Sequence, residues 1–123
     1  MSNNPLDSSN LRQFSGSENM FYHPLFRRVK YTDGVQYIHK HAGWIVTDIL
    51  SHIVVNPLLK GQDFLSLNLK ISGVKGQQVG KLTITDGNDG VLDTQVYDLV
   101  IGVPSQEIKF FFTNGVLMLS SEY

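Results

Sequence analysis

The sequence predicts an α+β domain, two short helices packed on one face of a four- to five-stranded antiparallel sheet. Three observations point there. Only residues 31–57 (YTDGVQYIHKHAGWIVTDILSHIVVNP) sustain a helical period, and they hold three of the four histidines and the single tryptophan. From Phe64 onward the apolar period changes to two, with turn signals between the runs. Near the end, Asn114-Gly115 is the preferred two-residue hairpin turn between two apolar runs. Helices followed by a run of strands give a layer with the helices segregated to one face of the sheet.

The first helix starts at Thr32 or Asp33, whose short side-chain oxygens suit a helix cap. With Asp33 as the cap, Gln36 stands three residues on and completes a capping box. Val35, Ile38 and Ala42 share one face. Gly43 is the expected break, since glycine takes the left-handed conformation that closes many helices. The second helix runs from about Trp44 to Val54 and stops at Asn56-Pro57, because the residue before proline is pushed out of helical geometry. Ile45, Val46, Ile49, Leu50 and Ile53 fill one arc of it, and Trp44, Asp48, Ser51 and His52 fill the other. Asp48 and His52 are four residues apart, so their side chains can meet as a polar pair under Trp44.

Upstream, residues 1–10 are rich in Ser and Asn and read as a frayed tail before a single domain over residues 11–123. The next stretch, LRQFSGSENMFYHPLFRRVKY, crowds five aromatics together, Phe14, Phe21, Tyr22, Phe26 and Tyr31. Pro24 and Gly16 oppose a continuous helix, so it reads as an arm pinned to the helices or the sheet.

Downstream, Leu65, Leu67, Leu69 and Ile71 alternate with polar residues, as do Leu82 and Ile84, giving strands with one dry and one wet face. DGNDG (residues 86–90) reads as a hairpin loop. Its start resembles a calcium loop, but glycines occupy the second and fifth positions and Tyr97 the twelfth, which excludes that reading. The Asn114-Gly115 turn sets a register of Thr113 with Val116, Phe112 with Leu117, Phe111 with Met118 and Phe110 with Leu119. With helices on one side only, Phe111, Val116 and Met118 form an apolar patch on the outer face, the kind of surface that marks a partner.

The 123 residues are 41% hydrophobic and 17% charged, enough for one domain with a real core. A net charge of −1 supplies no field to recruit nucleic acid, and Arg27, Arg28 and Lys30, with Lys40, read as a solvated edge. No cysteine means no disulfide or thiolate chemistry, which fits a cytoplasmic protein, and no apolar run reaches bilayer length. No glycine-rich phosphate loop is present, and the histidine spacing demands no metal, so no cofactor is expected.

Two chemistries remain to weigh. Ser51, His52 and Asp48 lie within five residues on one helix, which does not allow the histidine to stand in line between nucleophile and acid. An acid–base enzyme would use His52 held by Asp48, faced by His23 or Glu18 from the arm, in a pocket that includes Trp44 and Tyr22. Against it stands a non-catalytic binding or regulatory module that self-associates as a homodimer, or meets a protein partner, through the outer sheet face, with Trp44, Tyr22, Phe111, Val116 and Met118 as contact residues.

QFSGSENMFYHPLF, YTDGVQYIHKHAGWIVTDILSH and NGVLMLSSEY, three separated blocks in order, resemble a small bacterial family of uncharacterised proteins of cyanobacterial, plasmid and phage genomes. The resemblance covers nearly all of the chain beyond Asn10 and implies no activity. It directs attention to residues such as Ser17, Asp33, Gly34, Trp44, Asp48 and Glu122. The family's ending resembles L-P-S-E-Y, where this chain has Ser120 in place of proline. A family motif that runs to the last residue implies that Glu122 and Tyr123 pack rather than fray.

Overall fold

The computed structural model describes residues 4–16, 19–26, 28–59, 61–74, 76–88 and 90–123. In chain order these form α1 (Ser8–Leu11), β1 (Phe21–Tyr22), β2 (Lys30–Tyr31), α2 (Asp33–His41), α3 (Gly43–Val55), β3 (Phe64–Ser72), β4 (Gln78–Thr85), β5 (Val91–Val100), β6 (Gln106–Thr113), β7 (Val116–Leu119) and a closing 3-10 turn (Ser120–Glu122). The strands make one mostly antiparallel sheet in the order β1-β2-β7-β6-β3-β4-β5. The α+β class stands, with three helices and seven strands among the described residues in place of two and four to five. The added strands are the two-residue β1 and β2, which are too short to show any period.

Alternation decides which face is dry. Leu65, Leu67, Leu69 and Ile71 of β3, Leu82 and Ile84 of β4, Ile108 and Phe110 of β6, and Leu117 and Leu119 of β7 are buried. Ile45, Val46, Ile49, Leu50 and Ile53 of α3 and Val35 and Ile38 of α2 meet them in one core. The register of the final hairpin is the expected one, from Thr113–Val116 to Phe110–Leu119. Phe111, Val116 and Met118 lie on the opposite face, half-buried.

Three local expectations are corrected. Leu6 is buried in the core and Asp7 caps α1 through the Ser9 N–H, so residues 4–10 do not fray. Ala42, with a non-helical φ of −152° and ψ of 73°, separates the two long helices, and Gly43 is already the first residue of α3. The expected Asp33–Gln36 capping box does not form. Thr32 occupies the cap position without a side-chain cap bond, and Asp33 accepts from Asn19 instead.

The cap of α2 comes from the other end of the chain. Glu122 Oε2 accepts from the Gly34 N–H at 3.0 Å, and Oε1 accepts from the Thr32 hydroxyl at 2.7 Å and the Leu119 N–H at 3.0 Å. A carboxylate there satisfies a free N–H and complements the positive end of the helix. The approach requires glycine: a Cβ on residue 34 would lie 2.5 Å from Glu122 Oε1 and 2.6 Å from Leu119 Cδ1.

Glu122→Ala strands the buried Thr32 hydroxyl and two N–H groups, and is expected to cost about 1–3 kcal/mol. Gly34→Ala inside a helix ordinarily gains about 1 kcal/mol, but the clash with Glu122 reverses the sign here. Urea unfolding of both variants checks this, and a Gly34→Ala protein with a raised midpoint would contradict it.

Candidate functional site

The polar arc of α3 faces β5 across the edge of the helical layer. Gly80 of β4 opens the space, since a Cβ there would lie 3.3 Å from the Tyr97 ring and 3.2 Å from Val100. Tyr97 therefore lies in against α3, and its hydroxyl donates to Asp48 Oδ2 in a short hydrogen bond. His52 Nε2 stands 3.5 Å from the same oxygen, and His52 Nδ1 stands 3.1 Å from Asp93 Oδ2. Asn56 Nδ2 donates to that Asp93 oxygen at 2.9 Å, and the Thr94 N–H donates to Asp93 Oδ1 at 2.9 Å. The result is a continuous polar relay, Tyr97–Asp48–His52–Asp93–Asn56, that straps β5 to α3.

The relay's donors and acceptors follow from its groups. A carboxylate only accepts, so a doubly protonated His52 ring donates to both acids at once, whereas a neutral ring donates to one. Burial, then the hydrogen bond and charge of Asp48, push the Tyr97 hydroxyl well above the usual tyrosine range, which keeps it a donor. Trp44 packs edge-on against the Tyr97 ring at 5.1 Å. Trp44, Thr47, Asp48, Ser51 and Tyr97 line an open groove of about 290 Å³, and Trp44, Tyr97, Leu99 and Ile101 line an apolar one of about 270 Å³.

His23 belongs to a different cluster. It is buried, its Nδ1 accepts from the Leu25 N–H at 3.0 Å, and its Nε2 faces the Thr47 hydroxyl at 2.9 Å. The backbone donor fixes the neutral ring with its proton on Nε2. Burial and then the neighbouring His39 hold His23 below its ordinary value. His23 engages both ring nitrogens, with the Leu25 N–H and the Thr47 hydroxyl, and neither of these two grooves is lined by His23, His52 or Tyr22. Glu18, the other arm candidate, lies outside the described residues, as do Ser17 and Arg27.

Of the contact candidates, Tyr22, Phe111, Val116 and Met118 fall on the outer face, whereas Trp44 lies on α3 against Tyr97. Tyr22 is exposed beside Lys30, whose ammonium sits 5.5 Å from the ring centroid, and Lys30 pairs with Val116. Phe111 meets Phe64 at 5.1 Å and Tyr123 at 5.2 Å between ring centroids. The terminal Tyr123 therefore shields part of the patch formed by Phe111, Val116 and Met118. Among the described residues no three metal-ligating side chains converge, and no helix is long and apolar enough to cross a membrane. Sequence reasoning missed Asp93, Asn56 and Tyr97. The signal for Asn56 was its place one turn after His52, while both faces of β5 carry polar residues and so betray no orientation.

Residues 6–123 match DUF6876, a family of unknown function, and the chain belongs to that family. No curated protein and no solved structure matches the chain.

Two outcomes follow from these clusters. The folded value of His23 lies below the unfolded 6.5, so the unfolded chain binds more protons in that window. The stability contributed by neutral His23 is full above the unfolded value and is lost as pH falls through the folded one. Urea unfolding from pH ~8 to ~5 should give a falling midpoint, and His23→Gln, which keeps a donor and an acceptor, should flatten that slope; an unchanged slope would contradict it. For the relay, His52→Ala leaves Asp48 and Asp93 facing each other without the imidazole and is expected to cost about 1–3 kcal/mol. A thermal melt overlaying the wild type would mark the relay as structurally idle.

Proposed function

We propose that this member of DUF6876 is a non-catalytic binding module that self-associates and offers the outer face of its sheet to a protein partner. One observation carries the reading: the helices cover a single face of the sheet, and β5 at its edge pairs only with β4 among the described residues. Apolar side chains follow those open surfaces. Tyr22 and Tyr123 are exposed on the outer face, and Val91, Val96, Leu99 and Ile101 are exposed along or just beyond β5. Exposed apolar side chains gathered along an uncovered face or edge mark interaction sites on folded domains.

The histidines support a binding role over acid–base chemistry. Both His23 nitrogens are engaged, and His52 is held between two carboxylates that also anchor a strand. Such bonding fixes architecture and leaves neither ring presented to a substrate.

Light scattering on the purified protein across a concentration series tests self-association. The expected result is a mass above one chain that falls on dilution. A single-chain mass at the highest concentration would end the reading.

A further inference from the structure

We propose that two copies of this chain pair edge to edge through β5, antiparallel about Gln95, and so join their sheets into one; this rests on the self-association reading. The argument begins with the irregularities of the strand. Ile84 pairs with Asp93 but Thr85 with Val91, so Leu92 is an extra residue in β5. Gly80 pairs with Tyr97 but Gln78 with Val100, so a second extra residue falls within Asp98-Leu99. Between these two bulges residues 93–97 pair regularly, and their centre is Gln95.

Edges of sheets are normally blunted by lysine, proline, bulges or very short strands. At the opposite edge, β1 has two residues. By contrast β5 (VLDTQVYDLV) has ten residues with neither lysine nor proline. Its bulges bend the ends and leave a regular central stretch, where the Thr94 N–H donates to Asp93 Oδ1 at 2.9 Å and the Val96 C=O accepts from Gln95 Nε2 at 3.1 Å, local side-chain bonds that a second strand would exchange for ladder bonds. The polar relay grips this stretch at both ends, Asp93 through His52 and Asn56, Tyr97 through Asp48. A stretch held in this way loses little freedom on pairing, which favours association.

The side chains identify the occupant as a second copy. Pairing about Gln95 sets Thr94 opposite the other copy's Val96 on the outer face, and Asp93 opposite Tyr97 on the helical face. The bulge positions Leu92 and Asp98 fall opposite each other, so the irregularities of one strand match those of its copy. Beyond them Val91 meets Leu99, two apolar side chains each 60% exposed in the single chain. No carboxylate opposes a carboxylate, and β-branched residues form the outer pairs, as cross-strand pairing prefers. A two-fold axis through Gln95, perpendicular to the sheet, makes the contact isologous and closed.

The test uses the full chain and two double variants that differ at one position. Val96 lies beside Lys81 of β4, so a glutamate at 96 has a partner within its own sheet. Thr94→Glu with Val96→Glu sets glutamates against glutamates across the axis and should raise the dimer dissociation constant roughly a hundredfold, since like charges facing across an interface are strongly disfavoured. Thr94→Lys with Val96→Glu sets lysine against glutamate and should restore the dimer. Circular dichroism melts establish that both fold, and light scattering reads the mass. The proposal is overturned if the double-glutamate protein stays dimeric, or if the Lys/Glu protein is monomeric while wild type is not. Loss of the dimer with Phe111→Ser and Met118→Ser, but not with the double glutamate, would keep self-association and move it to the outer face. A monomeric wild type would end both readings.

Discussion

The structure depends on one carboxylate placed at a helix N-terminus by the far end of the chain. Glu122 takes the Gly34 N–H, the Thr32 hydroxyl and the Leu119 N–H together. Each bond is modest by itself, but the three converge where β2, α2 and β7 meet. β2 runs parallel to β7 through Lys30–Val116 and Tyr31–Leu117, and the Thr32 N–H extends the ladder to the Leu117 carbonyl. A parallel pair of two residues is too short to hold itself. The carboxylate and the buried Leu117 and Leu119 side chains supply the missing restraint. The absent side chain of Gly34 matters as much as the acid, because a Cβ there would come within 2.5 Å of the Glu122 oxygen.

That clamp also explains what could and could not be read from the sequence. The buried arc of α3 and the register of the last hairpin were legible because they depend on period and on one turn, both local properties. The cap of α2 was not, because its acceptor lies 88 residues from its donor and a better-looking local solution, Asp33 with Gln36, stood in the sequence. Leu6 was unreadable for a similar reason. A single leucine among polar residues has no period, and only the tertiary core gives it a place.

The candidate site was legible in half. Asp48 and His52 stand at helical spacing, and the structure places them together, but at 3.5 Å they are the longer of the two contacts His52 makes. The shorter one goes to Asp93 on a strand whose two faces are both polar. Period cannot orient such a strand, so neither Asp93 nor Tyr97 could be assigned to the helical face in advance. Gly80 was the one cue, since a glycine inside a strand often marks close approach by a neighbour, here the Tyr97 ring.

The polar relay and the edge stretch 93–97 share two residues, Asp93 and Tyr97. Among the described residues β5 has a strand neighbour on one side only, so its position is fixed by the β4 ladder and by side-chain bonds to α3. Hydrophobic contact is non-directional and would let an edge strand drift in register. Hydrogen bonds from Asp93 and Tyr97 to fixed helical positions do not allow that drift. The bulges at Leu92 and Asp98-Leu99 place the irregularities of the strand outside the stretch that α3 holds. Five polar side chains, Tyr97, Asp48, His52, Asp93 and Asn56, thus hold half of an edge strand against its helix, in a strand that carries neither lysine nor proline.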